Sequence, residues 1–585
     1  MADSEISTSN LSALPNAIPL IVGVTGHRDL VAEDIPRLKE LVRDVFQMLK
    51  TKYPHTPLVL LSPLVAGADQ LVAEVALEEG VRAQLVAVLC WPVEFAADKL
   101  PRGGGLARFQ ELLAQAGKIV AMPLNDEGRS LAVADWATFA ERQYELVGKY
   151  IARHSQLLIA LWDGDALESS GTARVVQWQQ DGAPAPFAAS LGELDVVEGA
   201  PICHIPVRRA SRTGKTETQA SRASYVYPKS SNGSAEEEVH RAWSNIDRFN
   251  QDIAELQRQA PQTIATSRSW VLPDETAARL TPELRELFEF YALADAAALS
   301  FQGRIKPLAR RLFFIGPLAL VCLEVYAHLW SHWLALAGYL VLLASGYAMF
   351  AKARRSEWED RHLDDRALAE ALRVQFFWRW AGLTDCAAEH YLRHLRGELG
   401  WIRQASRTCF LLTGDTRAPH SVPPRPNIIE PGSVESLNGV LTHWVRDQAK
   451  FFTKKTPYNE HQEELCERIT KWSFRAALLI AVVELAVHWK TGHANHVLIV
   501  LTFFGLVAAA LAEEIADYHT FGILARQYEW MKNLFTTAAN KLESLIAAKN
   551  VAKSQALIHD LGLEALNENA DWLVQRRRKP VALPK

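Results

Sequence analysis

Residues Trp333–Ala351 run for nineteen positions without one charged side chain. That is about the length a helix needs to cross a bilayer core. Hydrocarbon offers backbone amides no partner, so an open segment of this kind has to be helical. The stretch before it, Leu312–Trp330, is apolar apart from Glu324 and His328, and only Ser331-His332 separates the two. The pair reads as a hairpin with Trp330 and Trp333 anchored at one interface. Lys306, Arg310 and Arg311 precede it, and Lys352, Arg354 and Arg355 follow it. Basic flanks favour the cytoplasm. A second, shorter pair covers Ala476–Trp489 and Val497–Ala512, with Lys471 and Arg475 before it. The competing expectation is four buried helices of a soluble bundle. We expect a multi-pass protein of the inner (plasma) membrane, with the lipid bilayer as partner and both termini cytoplasmic.

The hairpins look duplicated. Leu323–His328 (LEVYAH) aligns with Val483–His488 (VELAVH) at an offset of 160, so each first helix carries Glu-x-x-x-His on one face. Both hairpins run on into polar stretches with Asp-x-His, at Asp360/His362 and Asp517/His519. An internal repeat explains this most simply. A carboxyl within an apolar span usually faces a bundle interior or a water path. Glu324 and Glu484 therefore either line a pore or make a helix–helix hydrogen bond, to the next-turn His328 and His488 or to a neighbouring helix. The histidines near the turns (His328, His332, His488, His493, His496) are scattered, and no metal is expected.

The first third of the chain reads differently. Ile18–Val24, Leu58–Ser62, Ala83–Leu89, Lys118–Met122, Leu157–Trp162 and Pro201–Val207 are short apolar runs rich in Val, Ile and Leu. Helical patterns such as Ile35–Lys50, Gly67–Glu79 and Phe139–His154 lie between them. This alternation predicts a mostly parallel α/β sheet, whose ligands sit outside the carboxyl ends of the strands. At 585 residues the chain is long enough for two to four domains. A net charge of -4 gives no case for a nucleic-acid binder held by global charge. The six cysteines show no CxxC pair, which argues against a disulfide framework or zinc site. The polar N-terminus does not read as a secretory signal.

Four segments that follow strands are the chemical candidates. Gly23-Val24-Thr25-Gly26-His27-Arg28-Asp29 ends the first strand in small residues, a turn suited to an anion. Arg28 could grip a phosphate or simply pair with Asp29 or Glu33. Gly67-Ala68-Asp69 opens a helix, where Asp69 could be only a cap. Cys90–Phe95 follows the third strand. Trp162-Asp163-Gly164 leads toward Gly171-Thr172-Ala173, with Trp162 read as strand-end core. Asp69 or Asp163 could accept from ribose hydroxyls. Gly214-Lys215-Thr216 invites a phosphate-loop reading, but Arg209 stands where that motif needs Gly.

Taken together, the GxTGHRD loop, the LSPLVAGAD segment and the WDG…GTA pair resemble the SLOG superfamily. These are nucleotide-binding Rossmannoid domains related to the LOG phosphoribohydrolases and to the cytosolic domains of melastatin-type channels. The resemblance covers 18–207. It implies that Gly23, Thr25, Gly26, His27, Arg28, Gly67, Ala68, Asp69, Asp163, Gly164, Gly171 and Thr172 line a nucleotide pocket. The LOG enzymes carry a catalytic Glu in a PGGxGTxxE segment; Val175 falls at that position here. An enzyme without that carboxylate is shifted toward a sensor, so no catalytic residue is assigned. A LOG-type hydrolase would need Asp69, Glu94 or Asp163 instead. The hairpins and Asp365–Arg373 (DRALAEALR) resemble SLATT effector modules of bacterial conflict systems, as do Glu568–Leu573 and Arg576–Arg578.

The resulting expectation is an α/β Rossmannoid domain at 18–207 after a disordered tail at 1–17. A flexible insertion (208–234) and a helical connector (235–310) follow. Then come hairpin 1 with its cytosolic extension (311–411), a Pro-rich linker (412–440), hairpin 2 with its extension (441–575) and a tail (576–585). The resemblance implies a nucleotide signal as ligand, no other cofactor, homo-oligomerisation and a pore-forming or membrane-perturbing effector in antiphage or stress signalling. A nucleotide-regulated channel or transporter is the other expectation.

Overall fold

The computed structural model describes residues 17–92, 104–124, 136–165, 171–187, 199–212, 222–228, 234–392, 396–414 and 427–578. Glu94, Ser169, Ser170, Gly214, Lys215, Thr216, the N-terminal tail up to residue 16 and linker positions 415–426 lie outside them. The chain forms two compact units. The first holds residues up to 259 together with 388–425, the second 260–387 and 426–585.

The first unit is built on seven strands: β1 Leu20–Gly26, β2 Leu58–Ser62, β3 Gln84–Leu89, β4 Lys118–Ala121, β5 Leu157–Trp162, β6 Ile202–Pro206 and β7 Ser224–Val226. Their order is β4-β3-β2-β1-β5-β6-β7, parallel throughout except for β7. The central strands are apolar at nearly every position because both faces are covered. Ile21, Val22 and Val24 of β1, for example, are fully buried. The helices are α1 Ile35–Lys52, α2 Ala68–Leu77, α3 Gly104–Gln115, α4 Trp136–His154, α5 Gly171–Asp181 and α6 Ala235–Gln259. α1, α2 and α3 pack side by side, and α4 packs on α5. Right-handed crossovers place these two groups on opposite faces. The sheet grows outward from β1 to β4, then returns to add β5 on the other side of β1. That reversal opens a crevice at the ends of β1 and β5.

β7 falls inside the stretch expected to be a flexible insertion. Its short Ser-Tyr-Val run pairs antiparallel with β6, Cys203 opposite Tyr225. The unit is closed from outside the sheet by two devices. The Asn250 amide of α6 clasps the start of β1, accepting from Ile18 N at 2.8 Å and donating to Ile18 O at 2.9 Å. Helix Arg396–Leu412, expected to extend the first hairpin, clusters with this unit. Lys118 Nζ on edge strand β4 donates to three carbonyls at its end, those of Leu411, Leu412 and Gly414, at 3.1, 2.5 and 3.0 Å.

The second unit is helical: α7 Pro261–Val271, α8 Pro282–Glu324, α9 Trp333–Arg355, α10 Trp358–Trp380, α11 Arg446–Thr491, α12 His496–His519, α13 Phe521–Ala547 and α14 Val551–Arg578. Four helical stretches are long and apolar enough to cross a membrane, and they contain α8, α9, α11 and α12. Large side chains along them face outward, including Leu340, Val341, Leu479 and Leu485. That excludes the expectation that they are the buried core of a soluble bundle. α8 and α11 each continue well beyond the apolar segment. In each repeat the third helix, α10 or α13, turns back onto the first. The turn is made the same way both times, by a non-glycine residue in the left-handed region: Glu357 (φ 50°) and Thr520 (φ 52°).

The DRALAEALR stretch forms the buried face of α10. Arg366 reaches Asp295 of α8 at 2.6 Å and also pairs with Glu370, which Arg373 shares. Arg577, expected in a tail, extends α14 and pairs with the buried Asp364.

Candidate functional site

All four candidate segments, the third through Cys90 and Trp91, converge outside the carboxyl ends of β1, β2, β3 and β5. The loop after β1 approaches the start of α2, where Ala68 N donates to His27 O at 3.1 Å. Only glycine serves at position 67. Its φ is +96°, and a Cβ there would lie 2.5 Å from Arg28 O and 2.6 Å from His27 O. Gly26 is equally constrained, because a Cβ would stand 2.4 Å from that of Ala68 and 2.7 Å from Leu161 O. Gly23 sits deeper, where a Cβ would strike Ser155 Oγ at 2.0 Å. Gly26 and Gly67, both partly exposed, let the two loops approach closely, and Gly23 makes room for Ser155.

Thr25 is buried within β1 opposite Ala160, and the His27 amide is taken by Leu161 O at 3.1 Å. The exposed group of this loop is Arg28. Its guanidinium lies 4.6 Å above the Tyr144 ring of α4, and that ring meets Trp91 edge-on at 5.8 Å. Arg28 is therefore held by Tyr144 both through the aromatic face and through a side-chain hydrogen bond, on the exposed side of the loop. The expected pairing with Asp29 does not occur. Asp29 instead binds Arg209 at 3.2 Å and the Ser211 hydroxyl. Burial alone would raise the Asp29 carboxyl, but Ser211 and Arg209 outweigh it and hold it below the ordinary range.

The two candidate acids differ. Asp163, after β5, is committed. His27 Nε2 stands 3.0 Å from its Oδ1, Arg209 Nη1 3.8 Å from its Oδ2, and Asp165 N donates to it at 3.2 Å. Asp69 is not. It is buried, its Oδ1 has no hydrogen-bond partner, and burial pushes its carboxyl up to about 8, against the pull of Arg28 and a Val65 backbone hydrogen bond. Cys90 lies close enough to Arg28 and Asp69 to feel both, and burial pushes its thiol up to about 12. A buried acid with an unpartnered oxygen thus lies within electrostatic reach of an exposed, stacked guanidinium.

Gly164 takes φ +83°, and Gly171 and Thr172 begin α5 beyond the end of β5, Gly171 exposed and Thr172 buried. Val175 is a packing residue. It is buried, and a Cβ on Gly148 would lie 2.6 Å from its Cγ2. Trp162 is half-buried beside His204, with ring centroids 5.6 Å apart. Tyr144 and Arg209 were not legible as site residues. Tyr144 sits in an ordinary amphipathic helix, and Arg209 in a basic stretch without periodicity.

In the second unit, Glu324 Oε2 lies 3.4 Å from His328 Nε2, and Glu484 Oε1 accepts from the Asn495 amide at 2.8 Å. His488 is exposed. Glu484 is thus hydrogen-bonded at the turn end of its hairpin through one oxygen, whereas its second oxygen and Glu324 Oε2, near His328, make no hydrogen bond. A scan against models of protein families gives no match, and no curated protein matches the chain.

Proposed function

We propose that this chain is a membrane-bound sensor and effector. In this reading the α/β unit binds a nucleotide-derived anion at the crevice between β1 and β5. Binding drives the helical hairpins to form a pore or otherwise perturb the membrane, as in bacterial antiphage or stress signalling. The observation that carries the reading is the pairing of Arg28, exposed and stacked on Tyr144, and Asp69, buried with an oxygen unpartnered. The guanidinium suits a phosphate, and the acid suits a hydroxyl or amine donor on the same molecule. Basic flanks at Arg310, Arg311, Arg354 and Arg355 support cytoplasmic termini. Phe451, Tyr458, Leu465 and Trp472 stay exposed at seven-residue spacing along α11, which supports self-association with a second copy.

The test uses the full-length protein in liposomes loaded with a self-quenching dye, exposed to nucleoside monophosphates, cyclic nucleotides and NAD. Saturable binding with dye release and no turnover is expected. Retention of dye and absence of binding across the panel would overturn the reading. One observation favours a second reading, a tethered glycosidic hydrolase: a buried acid with a raised pKa is what a general acid requires. Released base in the same assay, abolished by Asp69→Asn, would establish it.

A further inference from the structure

We propose that His328 and His496 form a transition-metal site that staples the two hairpins together at their turn ends. The imidazoles come from different hairpins, one from the end of α8 and one from the start of α12. Their Nδ1 atoms stand 3.4 Å apart, with ring centroids at 5.6 Å. Hydrogen bonds donated by N–H centre on about 2.9–3.0 Å, so this pair is long for one. It matches two nitrogens on one tetrahedral ion: zinc–imidazole bonds of about 2.0–2.1 Å at the tetrahedral angle put the nitrogens about 3.3–3.4 Å apart.

Two further features are built around His328. On its far side, Nε2 lies 3.4 Å from Glu324 Oε2, a buried oxygen that makes no hydrogen bond. A carboxylate facing the distal nitrogen is the usual orienting partner of a metal-binding imidazole, and here it lies opposite the Nδ1 that faces His496. The residue also lies in a π-helical turn, Val325–Leu329, at the end of α8. Such turns are rare and recur at functional sites because they re-aim a side chain out of helical register.

The repeat shows how specific this arrangement is. The equivalent pair in the second hairpin is Glu484 and His488, yet Glu484 binds the Asn495 amide and His488 remains exposed. Asn495 in turn caps α12, its Oδ1 accepting from Val497 N at 3.1 Å and Leu498 N at 3.3 Å. The second carboxylate therefore fixes the turn that presents His496. One copy supplies a ligand with its orienting acid; the other supplies a rigid mount for the second ligand. Two imidazoles select Zn(II), Cu(II) or Ni(II) over Mg(II) or Ca(II), with water completing the coordination. The exposed Trp330 and Trp333 mark this end of the hairpin as interfacial.

Full-length protein in nanodiscs, stripped with EDTA, is titrated with ZnCl2 for affinity and with CuCl2 for electron paramagnetic resonance. One saturable equivalent per chain is expected, with nitrogen splitting from two imidazoles and a raised thermal midpoint. His328→Ala and the near-isosteric His496→Gln should abolish these effects. Glu324→Gln should weaken affinity about 10–100-fold. His488→Ala and His493→Ala should bind as the parent does. Circular dichroism separates lost binding from lost fold. Absence of saturable binding, splitting from fewer than two nitrogens, or binding that survives in both His328→Ala and His496→Gln would overturn the proposal.

Discussion

His27 Nε2 stands 3.0 Å from Asp163 Oδ1 across the junction of β1 and β5, and both side chains are almost fully buried. The contact joins the two loops that flank the point where the chain reverses direction across the sheet. With Arg209 on its other oxygen, Asp163 is a structural acid that fixes the crevice wall. Asp69, by contrast, keeps an oxygen without a hydrogen-bond partner, and in the proposed reading it is the acceptor for a ligand.

Asp69→Asn should stabilise the first unit while weakening ligand binding. The folded carboxyl sits at about 8 against an ordinary value of 3.8. Folding therefore takes up a proton between these values, and stability falls as pH rises through that window. At about 1.4 kcal/mol per pH unit above 3.8, the variant should gain on the order of 4 kcal/mol near pH 7. Thermal melts from pH 4 to 8 check this; an unchanged pH slope in the variant would refute it.

Arg28→Ala should lower affinity for an anionic ligand about 10–100-fold, the size of one lost charge-assisted contact. Because Arg28 is exposed, stability should change by no more than about 0.5 kcal/mol. Tyr144→Leu should reproduce part of the affinity loss by removing the platform under the guanidinium. Equilibrium binding and a melt on each variant separate the two effects.

Lys118→Met should loosen helix Arg396–Leu412. Three carbonyls lose a buried cationic donor, which costs on the order of 3 kcal/mol. Hydrogen exchange at residues 399–412 should accelerate in the variant, and unchanged protection there would count against this role.

Glu389 predicts an acid limit for the first unit. Burial would raise its carboxyl, but Arg407 and Arg153 outweigh that and hold it at about 2, against an ordinary 4.5. A depressed value stabilises above the unfolded pKa, so the contribution of about 3 kcal/mol is complete above pH 4.5 and is lost as pH falls toward 2. Glu389→Gln should remove that dependence from an acid titration followed by circular dichroism.

The parallel sheet was readable because strands covered on both faces are written as unbroken apolar runs; β1, β2 and β5 are examples. β7 was not, since Ser224-Tyr225-Val226 is three exposed residues whose strand partner among the described residues lies some twenty positions away. The glycine loops were legible because a backbone at φ +96° excludes other residues. Tyr144 could not be, because its role depends on where α4 crosses the strand ends, and helical spacing carries no record of that. The Glu-x-x-x-His repeat was visible, but its divergence was not. Glu484 and Glu324 occupy the same frame and differ only in what the turn residues offer them.

Helix α11 runs for 46 residues, about 70 Å at 1.5 Å per residue, from Arg446 to Thr491. It carries the apolar span at one end, and at the other Arg446 pairs with Glu543 at 2.8 Å. A rod of this length is a lever arm. Tilting it by about 5° about one end swings the other by about 6 Å, a whole helix radius, with no bond along it broken. Any force applied at one end of such a helix has only to change an angle, and the length supplies the mechanical gain.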